Sequence, residues 1–112
     1  MRKSQRSAIA SETNQVRGSS LIAIVTGAAS GIGDGIAIKF LNMGCSVLAI
    51  DINDDTLARF ASENAQFGSR LACARFDVAD ESSPKKIFAA CRERLGDANV
   101  LVNNAGVGNA AE

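Results

Sequence analysis

Three glycines, Gly27, Gly31 and Gly33, lie between an apolar run and a helical pattern in the first third of the chain. The apolar run, residues 21–25, has the composition of a strand buried on both faces of a parallel sheet, and it ends at Thr26. Glycines at such a turn let the backbone bend sharply and approach a pyrophosphate closely, and amides at the start of the next helix bind phosphate charge. The stretch therefore predicts a phosphate-binding turn, with a purely structural turn as the alternative.

A carboxylate follows the glycine turn at a spacing that suits ribose recognition. Asp51 lies eighteen residues after Gly33, at the end of a second predicted strand over residues 46–50. In a dinucleotide-binding fold, an acidic residue at this place accepts hydrogen bonds from both hydroxyls of the adenosine ribose and repels a 2′-phosphate. The alternative is that Asp51 caps a helix or lies in a solvated turn.

Short polar segments also follow the third and fourth predicted strands. Residues 71–76 lead into Asp77 and Val78, and residues 99–102 lead into Asn-Asn-Ala-Gly at positions 103–106. Asparagine tolerates unusual backbone angles and can tie strand ends together through its amide, and glycine lets the chain pass close to a ligand. From residue types alone, Asp77 suits a turn cap equally well, and Asn-Asn-Ala-Gly suits any turn.

The elements that must position these residues alternate between strand and helix. The helical patterns begin near Ile32, Asp54 and Ser83, and each is expected to end at a glycine: Gly44, Gly68 and Gly96. Asn53, Asp54 or Asp55 is predicted to cap the second helix, and Ser82 or Ser83 the third, with Pro84 in its first turn.

Strands that alternate with helices of this length imply right-handed βαβ crossovers. The predicted fold class is therefore α/β, as half of a doubly wound Rossmann-type parallel sheet with strand order 3-2-1-4 and helices on both faces. A nucleotide is expected in the crevice between strands 1 and 4, where the glycine turn meets the Asn-Asn-Ala-Gly segment.

Composition excludes several classes of protein. The chain has 112 residues, 46% of them hydrophobic and 21% charged, which is typical of one globular domain. Twelve basic and twelve acidic residues balance, so no net field favours nucleic acid. Without histidine, and with three cysteines at no metal-ligand spacing, a transition-metal site is not expected. No apolar run approaches the ~18 residues of a membrane span.

The three cysteines are expected to be reduced, which together with the lack of a secretory signal predicts a cytoplasmic protein. Residues 1–20 are polar and serine-rich, and we expect a flexible extension there. Their arginines and serines leave a mitochondrial-type presequence as an alternative.

The turn from Thr26 to Gly33 has the form Thr-Gly-x-x-x-Gly-x-Gly, and here the sequence resembles the short-chain dehydrogenase/reductase family over residues 21–107. The resemblance implies that Asp77 accepts a hydrogen bond from the adenine amino group, that Val78 supplies a backbone contact and that Asn104 steadies the sheet. The residues implied to bind a nicotinamide dinucleotide are Thr26, Gly27, Ser30, Gly31, Ile32, Gly33, Asp51, Ile52, Asp77, Val78, Asn104, Ala105 and Gly106.

The resemblance also favours NAD(H) over NADP(H). NADP-preferring members of the family often carry a basic residue at the position of Ser30, and Ile52 is likewise uncharged. Asp51 and Asp34 add negative charge where a 2′-phosphate needs positive charge.

The family transfers hydride between a nicotinamide and a hydroxyl or carbonyl carbon, with a Ser and a Tyr-x-x-x-Lys pair that the resemblance places after Glu112. The chain contains no tyrosine, so no catalytic residue is assigned and the chain alone is expected to be inactive. The domain prediction is a flexible extension over 1–20 and a truncated NAD-binding Rossmann domain over 21–112. The alternatives are a non-catalytic nucleotide-binding or interaction module and a gene remnant.

A half-sheet has a consequence for partners. The predicted strand 99–102 becomes an apolar edge, through which we expect self-association or pairing with a full-length relative.

Overall fold

A computed structural model describes residues 21–105, and the predicted extension 1–20 and Gly106 lie outside this range. In chain order the described elements are β1 (Ile22–Thr26), α1 (Gly31–Asn42), β2 (Ser46–Asp51), α2 (Asp54–Glu63), a 3₁₀ segment (Ala65–Arg70), β3 (Leu71–Arg75), α3 (Ser83–Arg94) and β4 (Val100–Asn103). The strands and helices fall where the alternating pattern predicts them, and apart from the end of α2 their bounds lie within about two residues of the predicted ones.

The four described strands form one parallel sheet in the order β3-β2-β1-β4, which confirms the predicted α/β topology. In the register, Thr26 lies between Ile50 and Asn103, and Asp51 pairs with Arg75. The carboxyl ends of all four strands therefore meet at one edge of the sheet, where ligands of open α/β folds bind.

The central strands are buried on both faces, as their continuous apolar composition predicts. One face packs on α1 and α2 through a cluster that includes Ala23, Val25, Val47, Ala49, Ala37, Leu41, Leu57 and Phe60. The other face packs on α3 through Ile24, Leu48, Ile50, Ala72, Ile87 and Cys91. This two-sided burial fixes β1 and β2, and with them the turns that follow each strand.

The helix α2 ends earlier than the sequence predicts. The helix ends at Glu63, so the prediction that Gly68 terminates it is wrong. The buried side chain of Asn64 donates its amide to the carbonyl of Phe60 at 2.8 Å and ends the helix there. Gly68 instead lies within the 3₁₀ segment, where its φ of 60° requires glycine.

The helix starts differ in how they are capped. Asn53 caps α2 by accepting from the amide of Thr56 at 3.0 Å, as predicted. Ser82 occupies the corresponding position of α3, but its hydroxyl donates to the Asp80 carboxylate instead of capping the helix. The hydroxyl of Ser83 donates to the carbonyl of Asp77 at 2.6 Å. Ser82 therefore occupies the predicted cap position without forming a capping hydrogen bond, because both hydroxyls bond to the turn before the helix.

Candidate functional site

A cleft of about 130 Å³ lies at the carboxyl edge of the sheet. It is lined by Gly27, Ile50, Asp51, Ile52, Phe76, Asp77, Val78 and Ala105. Six of these eight residues are predicted site residues, drawn from the turns after all four strands. Ile50 and Phe76 were missed, although each directly precedes a predicted site residue. The side chain of Ile50 is fully buried in the core, which is why its apolar character gave no sign of a place at the cleft.

The glycines of the turn have distinct constraints. Gly31 has φ of 58°, and a Cβ built there meets no atom within 4 Å, so this glycine is required by its backbone conformation and faces open space. Gly33 is different, because a Cβ there would overlap the carbonyl of Gly27 and approach Asn104 Nδ2 at 2.8 Å. Gly33 thus permits the start of α1 to approach the turn after β1 and Asn104 closely, and Gly31 leaves the helix start accessible.

The start of α1 lies beside the cleft and presents its first-turn amides. Ser30 occupies the capping position, and its side chain forms no capping hydrogen bond. Ser30 and Ile32 are exposed, the latter with 74% of its surface accessible, and neither lines the cleft. The amides at this helix end and the positive end of its dipole form a suitable place for an anion.

Asp51 bridges the glycine turn and the start of α2. Its Oδ2 accepts from the amide of Ala29 at 3.1 Å, and its Oδ1 accepts from the amide of Asn53 at 3.1 Å. The carboxylate is half-buried on the wall of the cleft, and each oxygen retains a lone pair for a further donor. Since Asn53 caps α2, the capping alternative for Asp51 does not apply, whereas a turn role does.

Asp77 and Val78 line the opposite wall of the cleft. Asp77 is exposed, and its Oδ1 accepts from the amide of Ala79 at 2.9 Å, as expected of an aspartate that stabilises a turn. Its position on the wall also leaves the carboxylate accessible to a ligand, so one side chain serves the turn and faces the cleft.

A hydrogen-bond network joins the end of β4 to the glycine turn. The hydroxyl of Thr26 lies 3.3 Å from both the carbonyl of Val102 and Asn103 Oδ1, and it accepts from the amide of Ala105 at 3.1 Å. Asn104 donates its side-chain amide to the carbonyl of Gly27 at 3.3 Å. Thr26 and Asn104 thus hold the two turns together behind the cleft wall.

Other kinds of site find no support in the described part of the chain. Residues 21–105 contain no cluster of three or more His, Cys, Asp or Glu arranged to hold a metal ion. Burial raises the pKa of the Cys45, Cys73 and Cys91 thiols, so these groups are protonated and poor nucleophiles at neutral pH. No described helix is both long enough and apolar enough to cross a membrane.

The strand order and the turns define a Rossmann-type α/β domain. A family model described as short chain dehydrogenase matches residues 21–112. The 2-(R)-hydroxypropyl-CoM dehydrogenase of Xanthobacter autotrophicus is 43% identical over 89 residues, which are 79% of this chain and 36% of that protein. The chain belongs to the short-chain dehydrogenase/reductase family.

Solved structures agree with this assignment. A hydroxysteroid dehydrogenase from Escherichia coli superposes with a TM-score of 0.73 at 34% identity, over 81% of this chain and 39% of that one. A short-chain dehydrogenase/reductase from Burkholderia phymatum in complex with NAD superposes with a TM-score of 0.68 at 27% identity, over 72% of this chain and 29% of that one. The chain spans about a third of the length of the curated relatives it matches.

Proposed function

We propose that this chain forms the NAD(H)-binding part of a short-chain dehydrogenase/reductase, an oxidoreductase that transfers hydride between nicotinamide and a hydroxyl or carbonyl carbon. The observation that carries the proposal is the Asp51 carboxylate on the wall of a cleft that adjoins the glycine turn. Family membership supports it, as does the structural similarity to a relative solved in complex with NAD.

The residues present fit such a cofactor. The adenine would lie in the 130 Å³ cleft, against Ile52, Val78 and Ala105, with Asp77 available to its amino group. The ribose hydroxyls would donate to Asp51, and the pyrophosphate would lie at the start of α1, where the missing Cβ of Gly31 leaves space. The other predicted site residues would surround these contacts. The glycine turn contains Gly27, Ser30, Ile32 and Gly33, and behind it lie Thr26 and Asn104. Gly106 lies outside the described residues.

Charge supports NAD(H) in preference to NADP(H). A 2′-phosphate would bring about two negative charges next to the Asp51 carboxylate. Neither Ser30 nor Ile52 offers a positive charge to offset them, and Asp34 in the first turn of α1 adds another negative charge. Two ribose hydroxyls, by contrast, are donors that match a carboxylate.

The role of this chain in the chemistry is to bind and orient. When bound, the nicotinamide supplies or accepts the hydride, and the chain's own residues hold the adenosine half and the pyrophosphate. Because the 112 residues contain no tyrosine, we propose that this chain alone does not catalyse the reaction. Incubation with NAD and an alcohol substrate panel should therefore give no NADH absorbance, and turnover by this chain would refute that point.

The edge of the sheet supports a further part of the proposal. Within the described residues β4 pairs only with β1, and Leu101 on β4 is 53% exposed. We propose that the chain associates with a second copy, or with a full-length relative, through this edge.

The cofactor proposal is tested by titrating NADH and NADPH into the chain and into Asp51→Ala and Asp55→Ala variants. Asp55 is an exposed aspartate in the first turn of α2, so it controls for the loss of one negative charge nearby. We expect Asp51→Ala to lose about 1.5–3 kcal/mol of NADH affinity for each charged hydrogen bond removed. NADPH affinity should not fall, and Asp55→Ala should resemble the unsubstituted chain. Equal NADH affinities in all three proteins would refute the ribose assignment.

A further inference from the structure

The turn that carries Asp51 is held from the neighbouring strand. Beyond the last register pair, Asp51 with Arg75, the amide of Phe76 donates to the carbonyl of Asp51 at 3.2 Å. The Arg75 side chain then reaches one residue further and donates its Nε to the carbonyl of Ile52 at 2.9 Å. The carbonyls of Asp51, the last residue of β2, and of Ile52 after it are thus held by Phe76 and Arg75 at the end of β3.

Of the two contacts of the Arg75 side chain, the hydrogen bond to the Ile52 carbonyl is the one that restrains the backbone of the turn. The carboxylate of Asp54 lies 3.9 Å from the same Nε, and both side chains of this ion pair are more than half exposed. Exposed pairs of such length contribute little to stability. The 2.9 Å bond to a backbone carbonyl, in contrast, restrains the peptide that separates Asp51 from Asn53.

That peptide connects the groups that define the ribose end of the cleft. Its Ile52 side chain lines the cleft, and the amide of the next residue, Asn53, donates to Asp51 Oδ1. A shift of the Ile52 carbonyl would therefore move both an apolar wall and one of the two donors that orient the carboxylate.

We propose that Arg75 is a positioning residue that, through the Ile52 carbonyl, orients the Asp51 carboxylate for ribose recognition and so helps to set the preference for NADH. This inference rests on the proposed function, since it concerns the same cleft. A guanidinium beside a nucleotide has a second use, which is direct contact with a 2′-phosphate. The two roles predict opposite changes in cofactor preference when the charge is removed.

The test compares NADH and NADPH dissociation constants for Arg75→Met, Arg75→Lys and Arg94→Met, in the unsubstituted and Asp51→Ala backgrounds. Arg94 is a matched control, because its exposed guanidinium donates to the carbonyl of Cys73, also on β3, at 2.9 Å and lies outside the cleft lining. Arg75→Met should weaken NADH binding roughly three- to fivefold, the equivalent of one hydrogen bond. Arg75→Lys should recover part of the loss, and Arg94→Met should bind NADH normally.

The double variant separates positioning from general destabilisation. If Arg75 acts mainly through Asp51, then Arg75→Met should cause a clearly smaller loss of NADH affinity once Asp51 is alanine, because only the effect on the Ile52 wall remains. An equal loss in both backgrounds would overturn the inference, as would unchanged NADH affinity in Arg75→Met. A selective loss of NADPH binding would also overturn it, in favour of direct phosphate contact. If Asp51→Ala itself leaves NADH binding unchanged, the ribose assignment in the proposed function fails. If Asp51→Ala weakens NADH binding but Arg75→Met does not, only the role of Arg75 fails.

Discussion

The glycines of the turn differ in what they tolerate, although the sequence motif treats them alike. Gly33 packs against the Gly27 carbonyl, whereas Gly31 adopts a left-handed conformation in open space. Gly35, which follows the motif within α1, meets no atom within 4 Å. The cost of adding one methyl group therefore depends on position.

We expect Gly33→Ala to destabilise the chain by about 1–3 kcal/mol or more, because the new methyl group overlaps backbone that cannot move aside. Gly35→Ala is the matched control in the same helix, and it should be neutral or stabilising by up to about 1 kcal/mol, since alanine favours helix. Urea unfolding followed by circular dichroism measures both. Equal midpoints for the two variants would contradict the packing account of Gly33.

The buried thiols predict a pH dependence of stability. Burial raises the pKa of Cys45, Cys73 and Cys91 above the ordinary value of 9.0, so the folded chain holds these protons more tightly than the unfolded chain does. Their contribution to stability is complete below about pH 9 and is lost as the pH rises through the raised folded values. The urea midpoint should therefore fall above about pH 9, and less steeply in Cys91→Ala. An identical alkaline slope in that variant would count against the thiols.

Spacing predicts Gly27 and Asp51 in the candidate site, the family resemblance adds Asp77 and Ala105, and the reason for the omissions is physical. Gly27, Asp51, Asp77 and Ala105 belong to segments that follow strands, and parallel strands bring such segments to one edge. Arg75 escaped notice because its contact is to a backbone carbonyl on another strand, and no sequence pattern records that partner.

At the scale of elements, side chains outside the apolar pattern decide where the helices begin and end. Asn53 starts α2 and Asn64 ends it, both through hydrogen bonds of their side chains. The apolar periodicity predicts that each helix exists, and the alternation of strands and helices predicts the 3-2-1-4 order of a doubly wound sheet. It does not predict that Asn64 ends α2 well before Gly68, since several polar residues near the end of a helix can satisfy its last carbonyls.

The caps give a paired prediction. Asn53→Ala should cost about 1 kcal/mol of stability, because the Thr56 amide loses its partner at the start of α2. Ser82 occupies the same position on α3 but forms no side-chain cap there. Ser82→Ala should therefore change stability by less than about 0.5 kcal/mol. Thermal unfolding of the two variants checks this difference. A larger loss of stability in Ser82→Ala than in Asn53→Ala would contradict the view that Asn53 caps its helix and Ser82 does not.

Over the whole described molecule, apolar surface is covered by helices on the central strands and left partly exposed on β4. Both faces of β1 and β2 are buried by helices, whereas β4 has a half-buried and exposed pattern and pairs only with β1 among the described strands. Leu101 on β4 and Phe88 on α3 line a second cleft of about 290 Å³. This second cleft lies on the face of the sheet that packs on α3, and among the described residues α3 is the only helix on that face.

We expect the chain to associate with itself at high concentration, because an apolar strand edge with unpaired backbone groups favours strand addition. Leu101→Glu should shift the population towards monomer by placing charge at that edge. Met43→Glu is the control, since Met43 is a similarly exposed apolar residue at the end of α1. Sedimentation velocity over a concentration series distinguishes the variants. A monomer at every concentration would refute the edge as an association surface.

We propose above all that the carboxyl edge of this sheet binds the adenosine half of NAD(H). The most direct measurement is a heteronuclear NMR titration of the isotopically labelled chain with NAD and, separately, with NADP. We expect NAD to shift the amide signals of Ala29, Gly31, Ile52 and Val78 together, with weaker shifts for NADP at equal concentration. Unchanged signals at those four amides, or shifts confined to other surfaces of the chain, would contradict it.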